Sequence, residues 1–316
     1  MSIDKSVCCS VADGYGRQVR SMRLSVTQRC DLSCEHCHKE GQKHSTDEMS
    51  PSEISRLVRI ASTIGVKKLK LTGGEPLLRD DIVDIVSGAS EFVKETSMTT
   101  NGSRLSDFAN ELKRAGLNRV NVSLHTLDHE RFERLCGFDL VDKVVEGIAS
   151  AVKSGLNPVK VNMVVLRGEN VEDIRPMMDF CAEIGATLQL IEYETGRENI
   201  NGCEFASKYY SLRGIEDAFN KEALKISENE LHRRKQYTLP ANGSSLTVEV
   251  VRPMHNTEFC ANCTRIRMTS DGHLKPCLLD PSGALNVLAP LRSGASDEAI
   301  RSMFLTAIGN RRPYWS

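Results

Sequence analysis

From residue 22 to about 192, short apolar runs alternate with longer amphipathic stretches. That alternation is the signature of strand–helix units laid on a parallel sheet. The spacing predicts strands over MRLSVT (22–27), KKLKLT (67–72), TSMTT (96–100), NRVNVSLH (118–125), PVKVNMVV (158–165) and ATLQLIE (186–192). Between them lie helical patterns such as SPSEISRLVRIASTIG and VEDIRPMMDFCAEIG, the second closed by Gly185. Six such repeats predict a barrel, closed or incomplete. From about 193 to 244 the pattern loosens, and LHRRKQ (231–236) reads as a solvated surface run. The last part carries a strand-like LTVEVVRP, a cysteine cluster and a helix near 296–308.

Alternate residues of a strand face opposite sides. In KKLKLT, Leu69 and Leu71 share one face while Lys68, Lys70 and Thr72 share the other. Arg23, Ser25 and Thr27 alternate likewise with Leu24 and Val26, Asn121, Ser123 and His125 with Val122 and Leu124, and Lys160 and Asn162 with Val161 and Met163. The apolar faces must meet the helices, so the polar faces look into the barrel. A closed barrel fills that space with branched apolar side chains. Unpaired lysines there would cost several kcal/mol each, the order found for ions taken out of water. Inward cations on three strands therefore predict a wet, open cavity that holds an anion.

Composition narrows the class without identifying the chemistry. The chain has 316 residues, 40% apolar and 26% charged, as in ordinary globular proteins, and is long enough for one large α/β domain or one with an appendage. Its net charge of −1 provides no global basic field to recruit nucleic acid. No run approaches the length of a membrane span and the N-terminus has no apolar signal core, so a cytoplasmic protein is expected. Eleven cysteines without an export signal do not read as a disulfide framework. Six form two clusters, and Cys8, Cys9, Cys136, Cys181 and Cys203 are scattered as buried or incidental thiols, the adjacent Cys8 and Cys9 standing out.

Each motif follows a strand and so lies at the C-terminal mouth, where barrels carry their chemistry. Cys30, Cys34 and Cys37 follow the first strand, TGGEPLLR the second, TTNG the third and SLH ends the fourth. Gly73 and Gly74 allow close backbone approach, and Glu75 offers a carboxylate to an ammonium group. Three cysteines suit a [4Fe–4S] cluster with one iron left for a small molecule. Spacing also allows a zinc site completed by His36, His38 or His44. The second set, Cys260, Cys263 and Cys277, is again three-legged, with zinc completed by His255 or His273 as the alternative. Within it, Arg265 and Arg267 share a strand face and suit phosphate, which a guanidinium fork pairs bidentately.

C-x3-C-x2-C followed by GGEP resembles the radical S-adenosylmethionine (SAM) superfamily. Together GYGRQVRSMRLSVTQRCDLSCEHCH, LTGGEPLLR, TTNG, NVSLHTLD and FCANCTRIRMTSDGHLKPCLL resemble the GTP 3′,8-cyclases of molybdenum cofactor biosynthesis, over roughly residues 12 to 280. The resemblance implies an α/β fold: an incomplete (β/α)6 TIM-like barrel of the radical SAM type, with a smaller C-terminal domain bringing a second [4Fe–4S] cluster to its mouth. The division is expected at 1–200 and 201–316. By position, Cys30, Cys34 and Cys37 would hold the SAM cluster, and Cys260, Cys263 and Cys277 the cluster that meets the purine of GTP. His36, at a position usually aromatic, would lie next to adenine, and Gly73, Gly74, Glu75 and Ser123 would contact SAM. Arg23, Lys68, Lys70, Thr100, Lys160, Arg265 and Arg267 match positions associated with GTP.

The implied reaction is reductive cleavage of SAM to a 5′-deoxyadenosyl radical. That radical takes the 3′-hydrogen of GTP, the C3′ radical closes onto C8, and one further electron with a proton gives (8S)-3′,8-cyclo-7,8-dihydroguanosine 5′-triphosphate. A small electron donor such as a flavodoxin or ferredoxin, and a downstream cyclic pyranopterin monophosphate synthase, are the expected partners, with no nucleic acid and no membrane. Rival readings are another radical SAM enzyme with an auxiliary cluster, acting on a peptide or a porphyrin precursor, and a zinc-stabilised non-catalytic module. Three departures stand out. His125 replaces a common Asp, Gln189 replaces an Arg of some members, and the chain ends NRRPYWS instead of Gly-Gly. Tyr314 and Trp315 are expected to dock on the barrel and hold Arg311 or Arg312 at its mouth, supplying the charge missing at Gln189.

Overall fold

The computed structural model describes residues 11–42, 45–241 and 244–316, so Cys8, Cys9 and His44 lie outside the described residues. The six expected strands form as β1 (Ser21–Ser25), β2 (Lys68–Thr72), β3 (Glu95–Thr100), β4 (Arg119–Ser123), β5 (Val159–Val165) and β6 (Thr187–Glu192). All pair in parallel, in chain order. Their apolar faces meet the helices as the alternation requires, and Leu24, Leu69, Leu71, Val122, Val161 and Met163 are all buried.

Local signals set the helix ends that matter to the site. Helix α1 (Pro51–Thr63) starts on a Ser50–Glu53 capping box with Pro51 in its first turn. Helices α2 (Ile82–Ser90) and α3 (Leu105–Arg114) follow β2 and β3. Helix α4 (His129–Cys136) ends at Gly137, φ 92°, where a side chain would collide with Ser33 Oγ at 2.2 Å. That close approach lets Ser33 N–H donate to the Cys136 carbonyl (2.9 Å), pinning the first cysteine loop to the end of α4. Helix α5 (Val141–Lys153) precedes β5, and α6 (Ile174–Ile184) closes at Gly185, φ 73°.

The C-terminal segment does not build a sheet of its own. After α7 (Cys203–Lys208) and α8 (Arg213–Glu222) come β7 (Lys225–Glu228), β8 (Lys235–Ala241) and β9 (Ser244–Val251). Strand β9 pairs in parallel with β6. Past the short α9 (Thr257–Ala261), β10 (Arg265–Met268) pairs in parallel with β1 at the opposite edge, followed by β11 (His273–Lys275) and β12 (Leu285–Asn286). One twelve-stranded sheet results, ordered β12-β11-β10-β1-β2-β3-β4-β5-β6-β9-β8-β7. Six parallel strands are thus flanked on both sides by strands from beyond residue 224. Helices α10 (Leu288–Arg292) and α11 (Asp297–Gly309) complete the chain. Among the described residues no helix is long and apolar enough to cross a membrane.

Candidate active site

The register lines the inward cations up in one row. Arg267 on β10 pairs with Arg23 on β1, Arg23 with Lys70 on β2, Lys70 with Ser97 on β3, and Ser97 with Arg119 on β4. They face a cavity of about 360 Å³ lined by nine Arg and Lys residues against three glutamates. All six cysteines of the two clusters line it too.

The first set sits on the loop after β1. Asp31 anchors this loop by accepting from Asn101 Nδ2 (2.6 Å) and Ser103 Oγ (2.7 Å) of the TTNGS turn. The Gly-Gly turn closes from the other side, with Gly74 N–H donating to Thr27 O (2.8 Å) and Glu75 N–H to Arg29 O (2.7 Å). A Cβ at Gly74 would lie 2.2 Å from the Arg29 carbonyl oxygen, so only glycine permits this approach. Burial pushes the Cys30 thiol up to about 11, and Cys34 is raised by a hydrogen bond with Cys136 and by burial. A positive multinuclear centre would reverse those shifts, because thiolates are its ligands.

Beside this loop, His36 and His125 meet Nε2 to Nε2 at 3.0 Å. Val164 N–H donates to His125 Nδ1 (3.1 Å), so a neutral His125 carries its proton on Nε2 and donates it to His36. Burial holds both rings below the usual histidine range, His36 at about 4. His125 therefore fixes the ring at 36.

Two predicted contacts are placed differently. The Glu75 carboxylate is fully buried and accepts from Thr100 Oγ1 (2.7 Å), Asn101 N–H (2.6 Å) and Leu77 N–H (2.9 Å). It is absent from the lining of the cavity and braces the TTNG turn through those three donors. Burial pushes it up to about 7 despite those donors. Thr100 lines the cavity while donating to Glu75, and Ser123, Gly73 and Gly74 line it directly. Lys68, at the start of β2, is exposed, lies 3.6 Å from Glu95 and faces a second cavity at the N-terminal end of the strands. Alternation gave it the correct face but not its height on the strand.

The anion site holds internal carboxylates that the sequence reading missed. Glu40, on the turn after Cys37, accepts from Arg23 Nε (2.9 Å), Arg267 Nη1 (3.3 Å) and Thr72 Oγ1 (3.0 Å). Burial alone would raise its pKa, but Arg23, His38 and Arg267 hold it far below the carboxylate range. Glu249 on β9 pairs with Lys160 and Arg234 and takes a hydrogen bond from Gln189. LHRRKQ is therefore not a solvated run: His232 is buried, and Arg234 enters the cavity to meet Glu249. Its long-range partner drew it inside, and the alternation of Thr247 and Glu249 with Leu246 and Val248 was the available signal. Among the described residues Lys70 and Arg265 have no carboxylate partner. Lys70 donates to Asn121 Oδ1 (2.6 Å), and burial with Arg119, Arg23 and Arg265 nearby holds its pKa well below normal.

The second cysteine set lines the same cavity as the first. Burial opposes ionisation of Cys263, but Arg311, the Arg265 N–H and the Arg265 guanidinium outweigh it and lower its pKa. Tyr314 and Trp315 dock as expected, and Trp315 is 8% exposed. Arg312 lines the cavity, whereas Arg311 lies buried behind the cysteine loop and not at the mouth. The described histidines offered as zinc ligands are engaged elsewhere. His38 accepts from Glu40 N–H, His255 packs on Trp315 and His273 meets Asp271. Among the described residues no three His, Cys, Asp or Glu side chains converge on a single-ion site.

Two three-thiol sets, a glycine cradle beside one of them and a partial parallel barrel define a radical SAM protein. Residues 24–181 match the Radical SAM superfamily, and residues 186–316 match Molybdenum Cofactor Synthesis C. The chain is 49% identical over 304 residues to the probable GTP 3′,8-cyclase of Pyrococcus abyssi, covering 96% of this chain and 99% of that one. It is 42% identical over 306 residues to its counterpart in Methanocaldococcus jannaschii, covering 96% and 98%. Among solved structures, Streptococcus suis SuiB bound to precursor peptide SuiA shares the fold with a TM-score of 0.63 at 18% identity, over 95% of this chain and 67% of that one. The chain belongs to the GTP 3′,8-cyclase family of the radical SAM superfamily.

Proposed function

We propose that the chain is a radical SAM GTP 3′,8-cyclase, converting GTP to (8S)-3′,8-cyclo-7,8-dihydroguanosine 5′-triphosphate in the first step of molybdenum cofactor biosynthesis. The observation that carries it is one cavity bearing both thiol sets and a register-aligned row of cations. A [4Fe–4S] cluster and SAM follow from the superfamily. When bound, they supply a one-electron cleavage and a carbon radical.

The chain's own residues bind, orient and exclude water. Cys30, Cys34 and Cys37 are the proposed ligands of the SAM cluster, with His36, the Gly73–Gly74 backbone and Ser123 holding SAM. Cys260, Cys263 and Cys277 are the proposed ligands of a second [4Fe–4S] cluster beside the purine. Arg23, Lys70, Lys160, Arg265 and Arg267 would take the triphosphate, with Thr100 acting through the turn it holds. Nine cations in the lining favour a polyphosphate over a peptide or a porphyrin precursor. Residues 1–200 form the proposed radical-generating unit and 201–316 the substrate unit. A small electron donor and a synthase that consumes the cyclised nucleotide complete the proposed cytoplasmic pathway.

Anaerobic turnover with [3′-²H]GTP, SAM and a reductant tests this reading. Singly deuterated 5′-deoxyadenosine should accumulate together with a GTP isomer of altered retention. Unlabelled 5′-deoxyadenosine and unchanged GTP would reject it.

A further inference from the structure

The C-terminal segment wraps the second cysteine loop from behind. Arg311 is 1% exposed, the largest fully buried side chain among the described residues. Its Nη1 donates to the Arg17 carbonyl at 3.1 Å and lies 3.0 Å from Asp13 Oδ2, while its Nη2 donates to the Cys263 carbonyl. Arg17 mirrors it, with Nε on the same Asp13 oxygen at 2.8 Å and Nη1 on the Cys260 carbonyl at 3.0 Å. One buried carboxylate thus aims two guanidiniums at the carbonyls of two cysteines three residues apart.

Past Pro313 the chain continues over the same loop. Tyr314 Oη accepts from Arg197 N–H at 2.7 Å, and the Arg197 guanidinium lies over the Tyr314 and Trp315 rings at 4.7 and 5.3 Å. The indole of Trp315 packs with Phe205 and Met254, and its ring lies 4.6 Å from that of His255. This anchoring places Trp315 N–H 3.3 Å from Cys260 Sγ, as donor to sulfur.

Two cations against one carboxylate leave positive charge beneath the loop, and burying it is costly unless an anion lies nearby. Ionised cysteine ligands and the net negative charge of a thiolate-bound cluster meet that need. Hydrogen bonds to ligand sulfur and nearby positive charge both favour the reduced, more negative cluster. Resting on the assignment of Cys260, Cys263 and Cys277 as cluster ligands, we infer that Arg311–Trp315 is a strap that positions this loop and raises the reduction potential of its cluster. Arg311 and Trp315 act as positioning residues: Arg311 fixes the backbone and Trp315 presents its amide to Cys260.

The test uses full-length, anaerobically reconstituted protein and three variants. Trp315→Phe keeps the amide and an aromatic anchor, Trp315→Pro removes the amide hydrogen, and Arg311→Gln removes the buried charge. The readouts are irons per chain, iron retained after a chelator challenge, and redox titration followed by electron paramagnetic resonance. Trp315→Phe should titrate like the parent. Trp315→Pro should shift the second cluster to a more negative potential and leave the first where it was. Arg311→Gln should lose half its iron at least tenfold faster than the parent, again sparing the first cluster. An unchanged second-cluster potential in Trp315→Pro, with unchanged iron retention in Arg311→Gln, would overturn the strap. If replacing Cys260, Cys263 and Cys277 by Ala leaves the iron count of the parent unaltered, the cluster assignment itself fails and the strap with it.

Discussion

Arg23 and Arg267 are register partners across the β1–β10 seam, and the Glu40 carboxylate lies between their guanidiniums. Neighbouring strands are about 4.8 Å apart, so two like charges in register repel unless an anion intervenes. Glu40 supplies it from an unusual backbone, φ 52° for a residue other than glycine. Because Glu40 follows Cys37 by three positions, one side chain ties the first cysteine loop to the seam where the C-terminal segment closes onto the barrel.

That tie gives a pH signature. The Glu40 carboxyl is depressed by Arg23, His38 and Arg267 against the opposing effect of burial. Its stabilisation is therefore complete above the ordinary carboxylate range, about 4.3, and is lost as pH falls below it. Glu40→Gln should lower the stability of the ligand-free protein by about 3 kcal/mol at neutral pH, the order for breaking a buried pair. The deficit should shrink towards acid pH. Urea melts at pH 7 and pH 3 check it, and an equal deficit at both would remove Glu40 from this role.

The two cysteine sets should separate in function. Replacing Cys30, Cys34 and Cys37 by Ala should abolish SAM cleavage. Replacing Cys260, Cys263 and Cys277 should leave uncoupled cleavage but no GTP cyclisation. Iron should fall from about eight to about four per chain in either case, as two four-iron clusters require. Cyclised product from the second triple variant would refute its assignment to GTP.

The parallel strands and their inward faces were legible because alternation is local, and Lys70, Lys160 and Arg23 fall where it puts them. The Tyr314–Trp315 docking was legible too, from an aromatic pair too apolar to stay in water. What escaped depends on partners distant in sequence. Nothing near Arg234 announces Glu249, and nothing near β10 announces β1. Glu75 carries a bracing role that its motif did not announce, because the three donors that meet its carboxylate come together only in the fold. Glu40 left no pattern at all, since a single acid after a cysteine loop has no periodicity to reveal its side.

The glycine cradle makes a steric prediction. In Gly74→Ala the new Cβ would lie 2.2 Å from the Arg29 carbonyl and 2.6 Å from that of Gln28, both backbone atoms beside Cys30. Backbone cannot yield as a side-chain tip does, so the cysteine loop must move. First-cluster iron and SAM binding should both fall at least tenfold, about 1.4 kcal/mol, while far-ultraviolet circular dichroism stays unchanged. Wild-type SAM affinity in this variant would show the approach to be dispensable.

Lys70 makes the sharpest contrast with Lys68, two residues away on the same strand face. Lys70 is enclosed among cations with only Asn121 as acceptor, and burial followed by Arg119 and Arg23 drives its pKa down. Lys68 is exposed and lies 3.6 Å from Glu95. A polyphosphate seated in the cavity would favour the protonated Lys70, so GTP binding should take up protons at pH values above the depressed pKa and below about 10.4, the ordinary lysine value. Calorimetry in buffers of different ionisation enthalpy measures that uptake directly. Lys70→Met should abolish it and weaken GTP binding by about 1.5–3 kcal/mol, the range for a hydrogen bond to a charged group. The same change should leave the ligand-free protein as stable as the parent or more so, because an amine crowded by cations and held by one hydrogen bond is replaced by an apolar side chain. Lys68→Met should do little to either property, as expected for an exposed pair. Equal losses from both substitutions would mean that height along β2 does not decide which lysine meets the phosphates.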